Sequence, residues 1–292
     1  MAVTVPDERA GPRDEARPRW RSLLEAGAQF LGGTTGAAVG TIGGPEGIVG
    51  GAATGVAVTR ALMQVGDEIE RRLTGPAQHE RMGGALFVAF QEIEARLAAN
   101  EQPRQDGFFE AGAERERPAA EELLEGVLLR AGDSYEQKRV PFLGRLYASV
   151  AFRDDVSPAY GHYLLRVADR LSYRQLALLA LFADEEHRDA LRRMDRHLSE
   201  ARGERATPPE PATLAELNQL GNDNLLGFRQ QGGWVAHFAA VIEGGSFAGS
   251  YRNTAPTPLA QTLFEVMGLA KIPRAEVHGL MQELAPGAPV RF

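Results

Sequence analysis

"LGGTTGAAVGTIGGPEGIVGGAATGVAVTRAL" occupies positions 31–62 and holds ten glycines but only two charges, Glu46 and Arg60. Its glycines are spaced, not scattered. Gly32, Gly36, Gly40 and Gly44 recur every four residues; after a break Gly47, Gly51 and Gly55 do the same, and Thr59 continues the row. Every fourth residue lies on one side of an α-helix. "GGPEG" between the rows carries turn chemistry. The spacing predicts a glycine-zipper helical hairpin over 22–75, its glycine stripes facing each other or a second copy. Seven glycines in the two arms forfeit about 7 kcal/mol of helix propensity relative to alanine. Such helices form only with close backbone packing to offset that loss.

Small-xxx-small rows supply that packing best where helices associate in lipid. The uncharged run from Ala26 to Ile42 measures about 25 Å as a helix, close to a spanning length. Gly47–Thr59 is shorter, with Arg60 placed to snorkel, and Glu46 would have to cross with the turn. Few positions are Leu, Ile or Phe, so insertion is only weakly favourable. Arg17, Arg19, Trp20 and Arg21 precede the stretch, and Arg71 and Arg72 follow it. Those flanks suit a hairpin with both ends on the cytoplasmic side and an interfacial tryptophan. The same rows also read as a hairpin packed inside a soluble helical protein or at an oligomer interface. A flexible linker fits the regular spacing poorly.

The rest of the 292-residue chain is charged and helix-patterned. Net charge is −7 and the sequence pI is about 5.5, which argues against a protein that wraps nucleic acid. There is no cysteine, which excludes disulfides, thiolate nucleophiles and cysteine-ligated metal centres. "MAVTVPDERAGPRDEARPRWR" has no apolar core of a secretory signal, so the expected location is the cytoplasm, peripheral to or inserted at the inner membrane. Thirty of the 32 basic residues are Arg, a codon signature of a GC-rich bacterial genome.

Five regions are expected: a disordered charged arm (1–21), the hairpin (22–75), a helical domain (76–200), a linker (201–212) and a small C-terminal α+β module (213–292). The fold class is therefore mainly α. Gly75-Pro76 marks a helix stop, followed by apolar positions Leu86, Phe90, Ile93 and Leu97 at helical spacing. Pro141 should kink a long helix beginning near 119. Ser157-Pro158 reads as an N-cap with Pro at the first helical position. Ser172–Gln175 and Thr213–Glu216 read as capping boxes, Thr257-Pro258 as another cap, and Pro273 as the start of a last helix. The C-terminal order of helix, turn, helix, two strands and helix is winged-helix-like. Its "TLAELNQLGNDNLL" carries no basic residue, so it suits a protein partner and not DNA.

No phosphate loop, nucleophile elbow or dinucleotide fingerprint occurs, and no enzyme, cofactor or metal is expected. Asp184 and His187, and Asp195 near His197, lack the matching carboxylates of a bundle dimetal site. His79, His162, His237 and His278 are isolated. Lys138, Arg139 and Arg145 offer an anion or lipid contact, or else an exposed face over Phe142, Leu146 and Tyr147. "RQDGFF" reads as a loop pinned by Phe108 and Phe109 near Asp106.

Residues 119–182, a long helix, a short gap, then helices about "LSYRQL" at 171–176, resemble the abortive-infection alpha proteins of bacteria. The resemblance implies a role in phage defence by damaging or arresting the host cell, and brings no catalytic residue with it. The glycine rows separately resemble the zipper hairpins of membrane-associated bacterial proteins. The leading expectation is a non-enzymatic helical protein that inserts into or docks on the inner membrane, a pore-type effector in its most concrete form. The alternative is a soluble homo-oligomeric adaptor that uses the glycine rows as its assembly interface.

Overall fold

The computed structural model describes residues 19–32, 53–72, 75–111, 116–201, 211–230, 233–235 and 254–284. The protein is mainly helical, with a small antiparallel sheet near the C-terminus. Of the expected N-terminal arm, residues 1–18 lie outside the described residues, while Arg19–Arg21 already belong to helix α1 (Arg19–Phe30). Helix α2 follows at Ala53–Arg72 and α3 at Pro76–Ala98.

The organising element is α3. Gly75 is extended and Pro76 opens the helix, where its missing N–H has no intrahelical partner to lose. An amphipathic helix buries one stripe, yet α3 buries every position from Met82 to Phe90. It is wrapped on all sides, and glycines make room for its neighbours. A methyl group on Gly27 of α1 would collide with the backbone of Gly83, and one on Gly83 would collide with the carbonyl oxygen of Leu23. Helix α5 (Val140–Val150) crosses elsewhere on α3, where a methyl on Gly144 would strike the carbonyl oxygen of Ala85.

The chain between 119 and 150 forms two helices where one kinked helix was expected. Helix α4 (Ala119–Asp133) stops before Ser134, which is extended. A 3-10 turn at Gln137–Arg139 leads into α5, with Pro141 in its first turn. Proline thus starts a helix here. Arg139 is buried and donates to the carbonyl oxygens of Asp169 and Leu171. It thereby closes the C-terminus of α6 (Pro158–Arg170). Ser157 caps α6 through Tyr160 N–H, and Ser172 with Gln175 forms a full capping box on α7 (Tyr173–Ala183). Helix α7 buries every residue from Gln175 to Ala183.

Helices α8 (Glu185–Ala201) and α9 (Pro211–Asn222) lead to β1 (Leu226–Gln230), β2 (Gly233–Val235) and β3 (Thr254–Pro256). Strand β1 is central, antiparallel to both neighbours, with Phe228 opposite Val235 on one side and Thr254 on the other. Helices α10 (Pro258–Val266) and α11 (Arg274–Leu284) complete the described chain. Helix α9 ends at Asn222. Asn224 takes a left-handed φ of 59°, and the apolar residues that follow pair as β1. Among the described residues the C-terminal order is therefore helix, three strands and two helices, with 236–253 outside them. Thr213 lies within α9, so the expected capping box there does not form. Thr257 caps α10 through Ala260 N–H and donates to Asn224 O. A single apolar cluster runs from Trp20 to Leu284, so the C-terminal helices and the bundle share one core. Of the expected linker, 202–210 lies outside the described residues.

Candidate functional site at the anchors of the glycine-rich segment

The segment singled out by its glycines enters from α1 and leaves into α2. Gly36, Gly40, Gly44, Gly47 and Gly51 lie outside the described residues; Gly32 and Gly55 lie within them. Gly32 ends α1 with φ of +78° and open space about it, as a left-handed helix terminator does. Gly55 is buried in α2, with Leu97 3.7 Å from where its Cβ would stand. Thr59 bonds back to the Gly55 carbonyl.

Both anchors are built into the core. Along α1, Trp20 stacks on Phe90 with ring centroids 5.9 Å apart, Gly27 crosses Gly83, and Phe30 meets Gly84. Along α2, Gly55 meets Leu97 and Gly66 meets Leu86 and Trp20. Both helices thus run antiparallel to α3 and parallel to each other. The end of α1 sits at Gly84 and the start of α2 at Leu97. That is 97 − 84 = 13 residues of α3, or about 20 Å at 1.5 Å per residue.

The expected basic and aromatic flank is largely committed elsewhere. Trp20, expected at a lipid interface, is only 5% exposed because Phe90, Leu86 and Gly66 enclose it. Its backbone N–H donates to Asp67 Oδ1 at 2.7 Å, so a side chain of α2 caps α1. Arg21 lies over its ring at 5.4 Å, and Arg19 is exposed. Arg71 bonds to the Asp67 carbonyl. Arg72 pairs with Glu68 and, at 2.6 Å, with Glu125. Arg117 ties Glu68, Glu121 and Glu125 into the same network, which holds its guanidinium pKa above the usual value through the Glu125 hydrogen bond first. Arg17 lies outside the described residues.

The other candidates are also engaged. Lys138 pairs with Glu276 and Arg145 with Glu92, both at 3.1 Å, and Arg139 caps α6. The loop reading of "RQDGFF" holds: Arg104 stacks over Phe108 and bonds Asp106 and the carbonyls of Val150 and Val156. His187 sits 3.3 Å from Asp184 and edge-on to His278, whose pKa is pushed down by burial and then by the charge of its neighbour. Asp195, His197 and His237 are not among the described side chains. Among the described residues no group of three or more His, Asp or Glu could hold a metal ion, and no helix is long and apolar enough to cross a membrane.

Two features escaped the sequence reading. The first is the glycine crossing at Gly27, Gly83 and Gly144. Its signal was present as "MGGA" at 82–85, since two glycines inside a helical pattern forfeit about 2 kcal/mol and need a packing reason. The second is Arg174, which reaches Glu216 at 2.6 Å, Glu283 and Thr213 and joins α7 to α9 and α11. The chain matches no protein-family model, no curated protein and no solved structure.

Proposed function

We propose that the chain is a non-enzymatic helical adaptor that self-associates, with the glycine-rich segment as an assembly surface. The observation that carries this reading is the reach of the folded anchors. The described fold carries the chain to Gly32 and resumes at Ala53, leaving residues 33–52 between them. A membrane-spanning hairpin needs two runs of about 20 residues each. To supply them, much of α1 and the first half of α2 would have to leave the core and expose Leu23, Leu24, Val58 and Leu62, each buried. A scaffold that offers a small-residue segment to another copy needs no such unfolding.

Sedimentation equilibrium of the full chain and flotation with phosphatidylglycerol-containing vesicles test the reading together. The expected result is a concentration-dependent oligomer that stays out of the vesicle fraction. Gly40→Leu with Gly51→Leu should weaken association while helical circular dichroism stays unchanged. Flotation with the vesicles and release of trapped dye would overturn the reading and favour the pore-type effector. A monomer at every concentration would overturn it as well.

A further inference from the structure

Away from the glycine-rich segment, two histidines meet where α11 closes on the start of α8. The Asp184 carboxylate accepts the backbone N–H of His187 at 3.0 Å, in the manner of a helix N-cap. His187 is buried, as are Ala190 and Leu191 one turn on, so its ring lies on the inward side of α8. Neither ring nitrogen of His187 makes a hydrogen bond within the described residues. Nδ1 stands 3.3 Å from Asp184 Oδ1, the oxygen that already takes the backbone N–H. The ring meets His278 of α11 edge-on, with centroids 6.2 Å apart. His278 follows Arg274 by four residues and shares its side of α11. Arg274 pairs with Glu186 at 3.1 Å across the same junction. Helix α7 arrives here with Phe182 and Ala183, both buried, and Arg188 donates to the Phe182 carbonyl. The Arg174 group of α7 and α9 meets α11 further on, at Glu283. The charged groups about the two rings are thus Asp184, Glu186 and Arg188 at the start of α8 and Arg274 on α11.

We infer that His187 and His278 form an acid-sensitive latch, which holds α11 against α8 while both rings are neutral and releases it when both take up protons. Neutral rings pack edge to face as aromatic pairs do. Two imidazolium rings at this distance repel each other. Asp184 can accompany the charge on one ring, whereas Glu186 is engaged by Arg274. Burial, then the facing His187 and then Arg274, hold the His278 pKa below the ordinary 6.5, against the pull of Glu186. A histidine lowered in this way binds fewer protons folded than unfolded. Its contribution to stability is complete above 6.5 and is lost as pH falls toward the folded value. The seam carboxylates Glu92 and Glu283 start from an ordinary value of 4.5 and are lowered, so they act in a separate, more acidic window. The latch works within one chain and does not depend on self-association.

Hydrogen–deuterium exchange of the full chain, read peptide by peptide and corrected for the intrinsic pH dependence of exchange, tests the latch between about pH 7.5 and about pH 5. Protection of α11 should fall roughly tenfold across that range, the equivalent of about one pKa unit, while protection of α3 falls less. His278→Phe keeps an aromatic ring and removes the charge, and its α11 protection should change by less than about threefold. His278→Gln, uncharged and polar, should behave alike and gives the reading if phenylalanine disturbs α11. His278→Lys, charged throughout, should show weakened α11 protection already at about pH 7.5. His278 is half-buried, so unchanged circular dichroism at that pH is expected of all three. An equal loss of protection in the native chain and in both uncharged variants overturns the inference. So does a loss confined to pH below about 4.5, where the seam carboxylates titrate.

Discussion

The crossings of α1 and α5 on α3 and the seam between the bundle and the C-terminal helices belong to one core, and they are closed by different means. At the crossings, backbone meets backbone over Gly27, Gly83 and Gly144, and dispersion between closely packed atoms does the holding. At the seam, aliphatic contacts are ringed by ion pairs: Arg174 with Glu216 and Glu283, Arg145 and Lys271 with Glu92, Arg153 with Glu265, and Arg274 with Glu186. The first closure tolerates no added atom and carries no titratable group. The second accepts changes of side chain and depends on charge. Stability should therefore respond to volume at one region and to pH and salt at the other.

The largest effects expected are along the contact of α1 with α3. Gly83→Ala puts a methyl into the carbonyl oxygen of Leu23, and overpacking of this kind costs about 1–3 kcal/mol or more. The control is Gly279→Ala in α11, where nothing lies within 4 Å. There the helix-propensity gain should stabilise by about 0.5–1 kcal/mol. Opposite signs from one substitution, read by chemical denaturation, would confirm the contrast; equal signs would remove it. Trp20→Ala empties the space against Phe90 and should cost about 3–5 kcal/mol. Asp67→Ala removes only the cap on α1 and should cost about 1 kcal/mol.

The seam should yield smaller, condition-dependent effects. Arg174→Ala leaves Glu216, Glu283 and Thr213 facing one another, at a cost of about 1–2 kcal/mol discounted for its partial exposure. The hydrogen bond from Arg174 holds the Glu283 carboxyl below its usual pKa. At Glu92 burial works the other way, and hydrogen bonds from Lys271 and Arg145 overcome it. A carboxylate whose folded pKa is depressed binds fewer protons folded than unfolded. Its stabilisation is complete above the unfolded value of 4.5 and is lost as pH falls through the folded value. Denaturation midpoints from pH 7 to pH 3 should fall for the native chain, and fall less for the Arg174→Ala variant, which has already lost the Glu283 contribution. An identical pH dependence in both would contradict the assignment.

Which of these features the sequence disclosed follows from how local each cause is. Ser157, Ser172 with Gln175, and Thr257 cap helices through bonds within three residues, and their patterns were readable. Helical type and the core positions Leu86, Phe90 and Ile93 were readable from periodicity. Pro141 misled because proline both breaks and begins helices, and only the turn after Asp133 selects between them. Strand β1 was hidden because Leu225 to Phe228 continue an apolar run that suits either state. The anchor geometry was not legible at all. Regular glycine spacing announced close approach, whereas the crossing that is visible uses Gly27, which lies outside the rows, against Gly83 some 56 residues later. Nothing local encodes that pairing. Trp20 was misplaced for the same reason: its ring partner, Phe90, is 70 residues away.

The smallest effect expected sharpens the distinction from inside the bundle. Tyr147 on α5 is wholly buried, and its hydroxyl makes no hydrogen bond to the described residues. Burial, and then the nearby charge of Glu121, push its pKa upward, so the phenol stays neutral across the accessible range. A buried hydroxyl without a partner carries its desolvation penalty and returns nothing. Tyr147→Phe removes the penalty and keeps the ring that fills the space. The variant should equal or exceed the native chain in stability, by up to about 1 kcal/mol. A loss of that size instead would mean that a water molecule bonds the hydroxyl. The packed half of the molecule would then hold a polar link of its own.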